Sequence, residues 1–255
     1  MRRRRFLVTC SAAAAMMSTD IVSTGISSRM VGAEVLETNK LTPPDGPINV
    51  AFAISRGATM IDFAGPWEVF QDVMIMNPRK QGNDRQESRE DQSQGDHRHP
   101  FRLYSVSANT EAIEASGGMK IIPDYTFENA PAPKVVVIPA QTGSAALHAW
   151  LRKIVDSTDV TMSVCTGAFQ LGRAGLLSGK EATTHHDFFD QFARAFPDVK
   201  LKRGLRFVEG ARISTAGGLT SGIDLALRVV ERYFGREAAE RTAFYMEYQS
   251  KGWIV

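Results

Sequence analysis

From residue 49 onward, short apolar runs alternate with longer segments in which apolar side chains recur every three or four positions. That alternation predicts stacked βαβ units around a mainly parallel sheet. The runs at 49–55 (NVAFAIS), 101–108, 134–140 (KVVVIPA) and 160–164 (VTMSV) predict strands. The nearly continuous β-branched composition of 134–140 suits a strand covered on both faces. A helix is predicted over 66–77, with Pro66 in its first turn, where a missing N–H costs nothing. Leu147, Trp150, Leu151, Ile154 and Val155 form one stripe and predict a helix over 144–158. Further helices are expected over 166–177, stopping at Ser178-Gly179, and over 187–196, 220–234 and 236–248. Ser221 and Asp224 have the spacing of a capping box, with Asp standing in for Glu. A small hairpin is expected around Gly117-Gly118, a strand at 181–184, and two strands across the Glu209-Gly210 turn. Residues 78–100 are polar, charged and nearly free of aliphatics, so they predict a mobile surface insertion, and His97 and His99 within it read as solvated rather than metal-binding.

With 255 residues, 43% of them hydrophobic, the chain has room for one full core and not for a second large domain. The net charge of +2 comes from the first 33 residues, which hold five arginines against Asp20; without them the balance is mildly acidic. Such a body gives no electrostatic reason to expect nucleic acid or an anionic membrane as partner. Residues 1–33 read as a twin-arginine-type signal peptide: Arg3-Arg4-Arg5-Phe6-Leu7, an apolar stretch, then the small residues of Val31-Gly32-Ala33. The apolar stretch is too short for a permanent membrane span, so the expectation is a periplasmic or secreted protein. Residues 34–47 read as a linker and 48–255 as one domain. Of the two cysteines, Cys10 falls in the leader, which leaves Cys165 alone and no intramolecular disulfide.

Cys165 follows the apolar run 160–164 and precedes Thr166, Gly167 and a predicted helix. That order is the recipe for a nucleophile elbow at the carboxyl edge of a sheet, where open α/β folds collect ligands. A helix N-terminus favours thiolate over thiol, and the Thr166 N–H is suited to a developing negative charge. Gly167 is expected to permit the tight turn.

Ser163-Val164-Cys165-Thr166-Gly167-Ala168, followed by Leu171 to Leu177 and Ala182-Thr183-Thr184-His185, resembles the elbow block of the ThiJ/PfpI superfamily, with a class I glutamine amidotransferase-like fold. Asp62-Phe63-Ala64-Gly65-Pro66-Trp67, Asp124 to Pro131 and Ala216 to Asp224 support the likeness, which is nearest to isonitrile hydratases and the amidase-like domains of AraC-type regulators. The resemblance implies a three-layer α/β sandwich on a flavodoxin-like, mainly parallel sheet, and a homodimer. It implies a catalytic pair of Cys165 and Asp62, the latter on the loop after the first strand, with Thr166, Gln141 and Gly65 at the oxyanion or substrate position and His185 in support. Burial beside Phe63 and Trp67 would raise the Asp62 carboxyl toward a useful range. The competing role for Asp62 is a helix cap, and Glu68 reads as part of a solvated face.

Two departures from the family pattern bear on the chemistry. Thr166 stands where proteases and deglycases of the superfamily often place His, which excludes a dyad built that way, and His186 takes a usually aromatic position expected to pack. Pro139-Ala140-Gln141 stands where relatives commonly carry Pro-Gly-Gly, whose N–H groups approach substrate. Either Gln141 offers a side-chain amide there or competence is reduced. The leading expectation is hydration or hydrolysis of a small carbon electrophile at Cys165, requiring no metal or organic cofactor. The alternative is a non-enzymatic ligand-binding or redox-sensing protein using the same thiol. A transcription regulator is disfavoured, because related regulators carry a helix-turn-helix region after this domain and the chain ends at Val255 without one.

Overall fold

The computed structural model describes residues 34–35, 40–76 and 97–255. In chain order, the described strands are β1 (Glu34–Val35), β2 (Ile48–Ala53), β3 (Ile75–Met76), β4 (His97–Arg98), β5 (Phe101–Ser107), β6 (Ile113–Glu114) and β7 (Lys120–Ile121). They continue with β8 (Tyr125–Thr126), β9 (Val135–Ile138), β10 (Val160–Ser163), β11 (Glu181–Ala182), β12 (Lys200–Leu201), β13 (Phe207–Glu209) and β14 (Ile213–Ala216). The α-helices are α1 (Met60–Gln71), α2 (Ala145–Ile154), α3 (Ala168–Arg173), α4 (Phe189–Ala195), α5 (Ser221–Phe234) and α6 (Arg236–Tyr245).

Eight strands form the central sheet in the order β1-β13-β14-β10-β9-β2-β5-β8. Every neighbouring pair is parallel except the β13–β14 hairpin, as the alternating pattern predicts. Alternate residues of the central strands serve different cores, as period-two side chains must. Val135 and Val137 join Phe52, Val69, Phe70, Leu225, Val229 and Tyr233, beneath α1, α5 and α6. Val136 and Ile138 join Ala51, Leu151, Phe169, Leu171 and Phe192, beneath α2, α3 and α4. The result is helix, sheet and helix in three layers.

Strands β2, β9, β10 and β14 run the same way, so the segments after residues 53, 138, 163 and 216 meet at one sheet edge. The candidate site is built there.

Several local expectations are corrected. Helix α1 begins at Met60, six residues before Pro66, which therefore lies inside it. An interior proline forfeits one intrahelical hydrogen bond. Packing outweighs the loss: α1 meets α5 closely, and a Cβ on Gly222 would lie 3.3 Å from Pro66 Cγ. Helix α3 stops at Arg173 because Gly175 takes the left-handed conformation (φ +75°) of a Schellman end. Leu176 N–H donates to Leu171 O and Gly175 N–H to Gly172 O. The capping box at α5 does not form. Thr220 precedes the helix without a side-chain cap, and the Asp224 carboxylate is taken by Arg206, Tyr248 and Ser250. Glu34–Val35, expected in a linker, is an edge strand beside β13, and Leu41 N–H donates to Arg232 O. Of the insertion at 78–100, residues 97–98 pair with β3, and residues 78–96 lie outside the described residues, as do 1–33.

Candidate active site

Strand β10 delivers the chain to Cys165, which adopts φ +57°, a left-handed conformation that costs a side-chain-bearing residue of order 1 kcal/mol. Both backbone groups of the residue are held. Its N–H donates to Gly217 O at 2.7 Å, and its carbonyl accepts from Thr184 Oγ1 at 2.9 Å. Gly167 matters for a different reason from the one expected. Its own φ is −54°, open to any residue, but a Cβ there would lie 2.1 Å from Ile138 O, so glycine lets the elbow press against β9.

Asp62 lies in the first turn of α1, not on the preceding loop, and it is fully buried. Its Oδ2 accepts from the Ala140 N–H at 3.0 Å, which ties α1 to the segment after β9. Its Oδ1 has no partner of full hydrogen-bond geometry. Burial lifts this carboxyl group to about 6, and the Ala140 N–H and then the Cys165 thiol pull against that rise. The expected desolvation is therefore present, and the cap role is not.

The sulfur behaves oppositely to the expectation from a helix N-terminus. Burial first, and the neighbouring Asp62 charge second, push the Cys165 thiol up to about 11. The Thr166 N–H, the Leu219 N–H and the Thr166 hydroxyl all face the sulfur and oppose the rise, but they do not overcome it. At neutral pH the arrangement is a thiol beside a carboxylate.

Leu219 is the residue that sequence reasoning missed. It has φ +51° and presents its N–H to the sulfur, at the turn after β14. Leucine gives no sign of a left-handed position; the preceding Gly217-Gly218 pair was the only local hint.

The segment after β9 departs from expectation. Among the described residues only Gly143, at φ +75°, is left-handed there, so Ala140 and Gln141 fit without strain. Gln141 does not offer its amide outward, because Nε2 donates to Ala53 O at 2.8 Å and Oε1 is buried without a partner. The Ala140 N–H is committed to Asp62. Gly65 is also corrected: at the sixth position of α1 its N–H belongs to the helix, and its small size serves packing, since a Cβ would lie 2.8 Å from Ile223 Cγ1. Glu68 is exposed, as expected.

His185 packs against Gly218, in the turn that carries Leu219. A Cβ on Gly218 would lie 2.3 Å from its ring, and its Nδ1 accepts from the Asp187 N–H at 3.2 Å. His186, expected to pack, is exposed and stacks on His185 with centroids 4.4 Å apart. His185, His186 and Asp187 bring possible metal-ligand atoms within 4.8 Å, but rings stacked 24° apart do not converge their lone pairs on one ion. His99 is exposed and sits 2.9 Å from Gln71 O.

Cys165 keeps 7% of its surface exposed and lines neither of two cavities that its neighbours line. One, of about 160 Å³, is walled by Gln141, Thr166, Phe169, Gln170, Arg173, Phe188 and Gln191. The other, of about 370 Å³, includes Thr184, His185, Arg206, Gly217, Gly218 and Leu219.

Residues 49–232 match the DJ-1/PfpI family. The chain is 32% identical over 153 residues to the isonitrile hydratase of Pseudomonas putida, covering 58% of this chain and 66% of that protein. It is 32% identical over 145 residues to the HTH-type transcriptional regulator CdhR of Pseudomonas aeruginosa, covering 54% of this chain and 43% of that one. The chain thus spans between two-fifths and two-thirds of these relatives' lengths. Among solved structures, a ThiJ/PfpI family protein from Pseudomonas syringae superposes with a TM-score of 0.65 at 24% identity, over 81% of this chain and 77% of that one.

Proposed function

The chain belongs to the DJ-1/PfpI family, and on that premise we propose that it is a cysteine-dependent enzyme that hydrates or hydrolyses a small carbon electrophile, in the manner of an isonitrile hydratase. The observation that carries this reading is the Cys165 thiol on a left-handed elbow, beside a buried Asp62 carboxyl group raised to about 6. A base with that affinity for protons is matched to work near neutrality. The thiol needs such a base, because at about 11 it holds its proton through the physiological range.

For an isonitrile, the sulfur attacks the terminal carbon as Asp62 takes the thiol proton and returns it to that carbon, giving a thioimidate. Water then adds across the carbon–nitrogen double bond, its oxygen to carbon and a proton to nitrogen, with Asp62 relaying that proton. Breaking the carbon–sulfur bond releases an N-substituted formamide, and the hydroxyl proton returns to sulfur. The N–H groups of Thr166 and Leu219 stabilise negative charge on sulfur as it forms and as it leaves. In an assay that follows formamide by mass spectrometry, Cys165→Ser and Asp62→Asn each reduce turnover by at least about a hundredfold. Full turnover by either variant overturns the mechanism.

A second reading, a ligand-binding protein without turnover, is favoured by the burial of the sulfur and its high proton affinity. It predicts small-molecule binding with no product from any isonitrile or amide tested. Redox sensing is less well supported, since sensing thiols are exposed and easily ionised. Intact mass after mild peroxide treatment is expected to show no oxygen adduct. The family resemblance supports a homodimer, and the arginine-rich leader supports twin-arginine export to the periplasm or beyond. Light scattering tests the first of these.

A further inference from the structure

The smaller cavity beside the elbow has a definite electrical sign. Its wall contains one cation, Arg173, and no carboxylate. Among the described residues no carboxylate pairs with Arg173, whose guanidinium instead lies over the Phe169 ring, 5.8 Å from its centroid. Phe169 is one helical turn nearer the elbow, so the side chain folds back toward Cys165, as side chains on a helix incline to do. Of the other donors of the wall, the two inner amides are spent, while Gln191 is exposed at its rim. Gln170 is buried, with Nε2 donating to Gln141 O at 3.0 Å and Oε1 2.9 Å from His148 Nε2. Gln141 is folded onto Ala53 O. Thr166 both lines this cavity and faces the sulfur, which joins the cavity to the reacting atom.

We propose that this cavity is an anion subsite in which Arg173 takes a carboxylate of the substrate whose reacting carbon meets Cys165; the proposal rests on the catalytic reading above. Phe169 is four residues beyond Cys165, across one tight turn and the first residues of α3. The carboxylate and the reacting carbon are therefore separated by a short alkyl chain. Guanidinium binds a planar carboxylate through two parallel N–H donors. One cation in a cavity of about 160 Å³ suits a singly charged group of that size better than a phosphate ester.

The test compares a matched pair, ω-isocyanobutanoate and n-butyl isocyanide. The natural protein is expected to favour the carboxylate member in kcat/KM, and in Arg173→Ala that preference falls about tenfold. Arg173→Lys, which keeps the charge, retains part of it, and Arg173→Glu inverts it. Binding of the corresponding product, N-formyl-γ-aminobutanoate, to the Cys165→Ala protein is measured in parallel by calorimetry, with and without Arg173→Ala. If no isonitrile is converted but this binding is seen and is lost with Arg173, the subsite stands and the catalytic reading falls. A preference unchanged by Arg173→Ala, or an absence of binding by the N-formyl carboxylate, overturns the subsite. Arg173 is exposed at the end of α3, so the variants fold, and a mere helix-end role would shift stability without moving the preference.

Discussion

Asp62 and Cys165 each hold a proton more tightly than the free side chain does, for the shared reason that both are buried. One substitution moves thiol reactivity and turnover in opposite directions. Asp62→Asn removes the negative charge that helps hold the thiol proton, so the thiol falls from about 11 and alkylation by iodoacetamide at a fixed alkaline pH accelerates, while turnover drops. If alkylation is unchanged, the two groups are not electrically coupled. In the natural protein, turnover is expected to rise as pH passes through about 6, where Asp62 becomes the free base. Stability moves the other way. The folded carboxyl group sits at about 6 against an ordinary 3.8, so between those values the folded chain holds more protons than the unfolded one. Ionisation of the buried Asp62 therefore costs nothing below about pH 4, and its cost grows to about 3 kcal/mol as pH rises past 6. Urea denaturation should find Asp62→Asn more stable than the natural protein at neutral pH, with the gap closing in acid. At Gly167 the constraint is space: Gly167→Ala drives a methyl group into the Ile138 carbonyl and is expected to cost at least about 2 kcal/mol by the same measurement.

Among the elements, the turn after β14 governs how Leu219 meets the sulfur, and its support comes from far along the chain. The Arg206 carbonyl accepts from the Gly217 N–H at 2.8 Å, while its guanidinium binds the fully buried Asp224 of α5 and reaches Thr220 Oγ1 at 3.3 Å. Tyr248 and Ser250, just beyond α6, contribute hydroxyls to the same carboxylate at 3.2 and 3.0 Å. Asp224→Ala is expected to cost about 2–3 kcal/mol, below the full loss for a buried ion pair because Arg206 keeps some contact with water. A thermal midpoint unmoved by this change would show that the clamp contributes nothing. None of this was legible in the sequence, where Ser221 and Asp224 read as a local cap; a half-buried cation supplied from residue 206 left no periodic trace. The start of α1 was hidden differently. Pro66 looked like a first-turn proline, and only packing against α5 explains why the helix runs through it.

Across the whole molecule, what could be read was what hydrophobic periodicity encodes. The strands at 135–138 and 160–163 and the stripe of α2 lie within a few residues of their predicted positions, because burial on both faces or on one stripe leaves a composition that few other structures share. The elbow was legible because strand, cysteine, glycine and helix follow one another directly. The edge strand at Glu34–Val35 was not, since two residues carry no pattern. The thiol's proton affinity was misjudged because local order revealed the helix end, whereas burial and the Asp62 charge come from the tertiary fold. The arginine leader makes a prediction at this scale. In a bacterial host with twin-arginine export, replacing Arg3 and Arg4 together by Lys should retain the protein in the cytoplasm with residues 1–33 attached, as judged by fractionation and N-terminal sequencing.

The left-handed bend at Cys165 is pinned by Thr184 and Gly217, both of which emerge from the ribosome after it does. During synthesis the cysteine therefore has neither its geometry nor its muted acidity, and until the last third of the chain closes over it, it is an ordinary thiol. The guarded, left-handed thiol is a late product of assembly, and an oxidant met before that moment finds an unguarded sulfur.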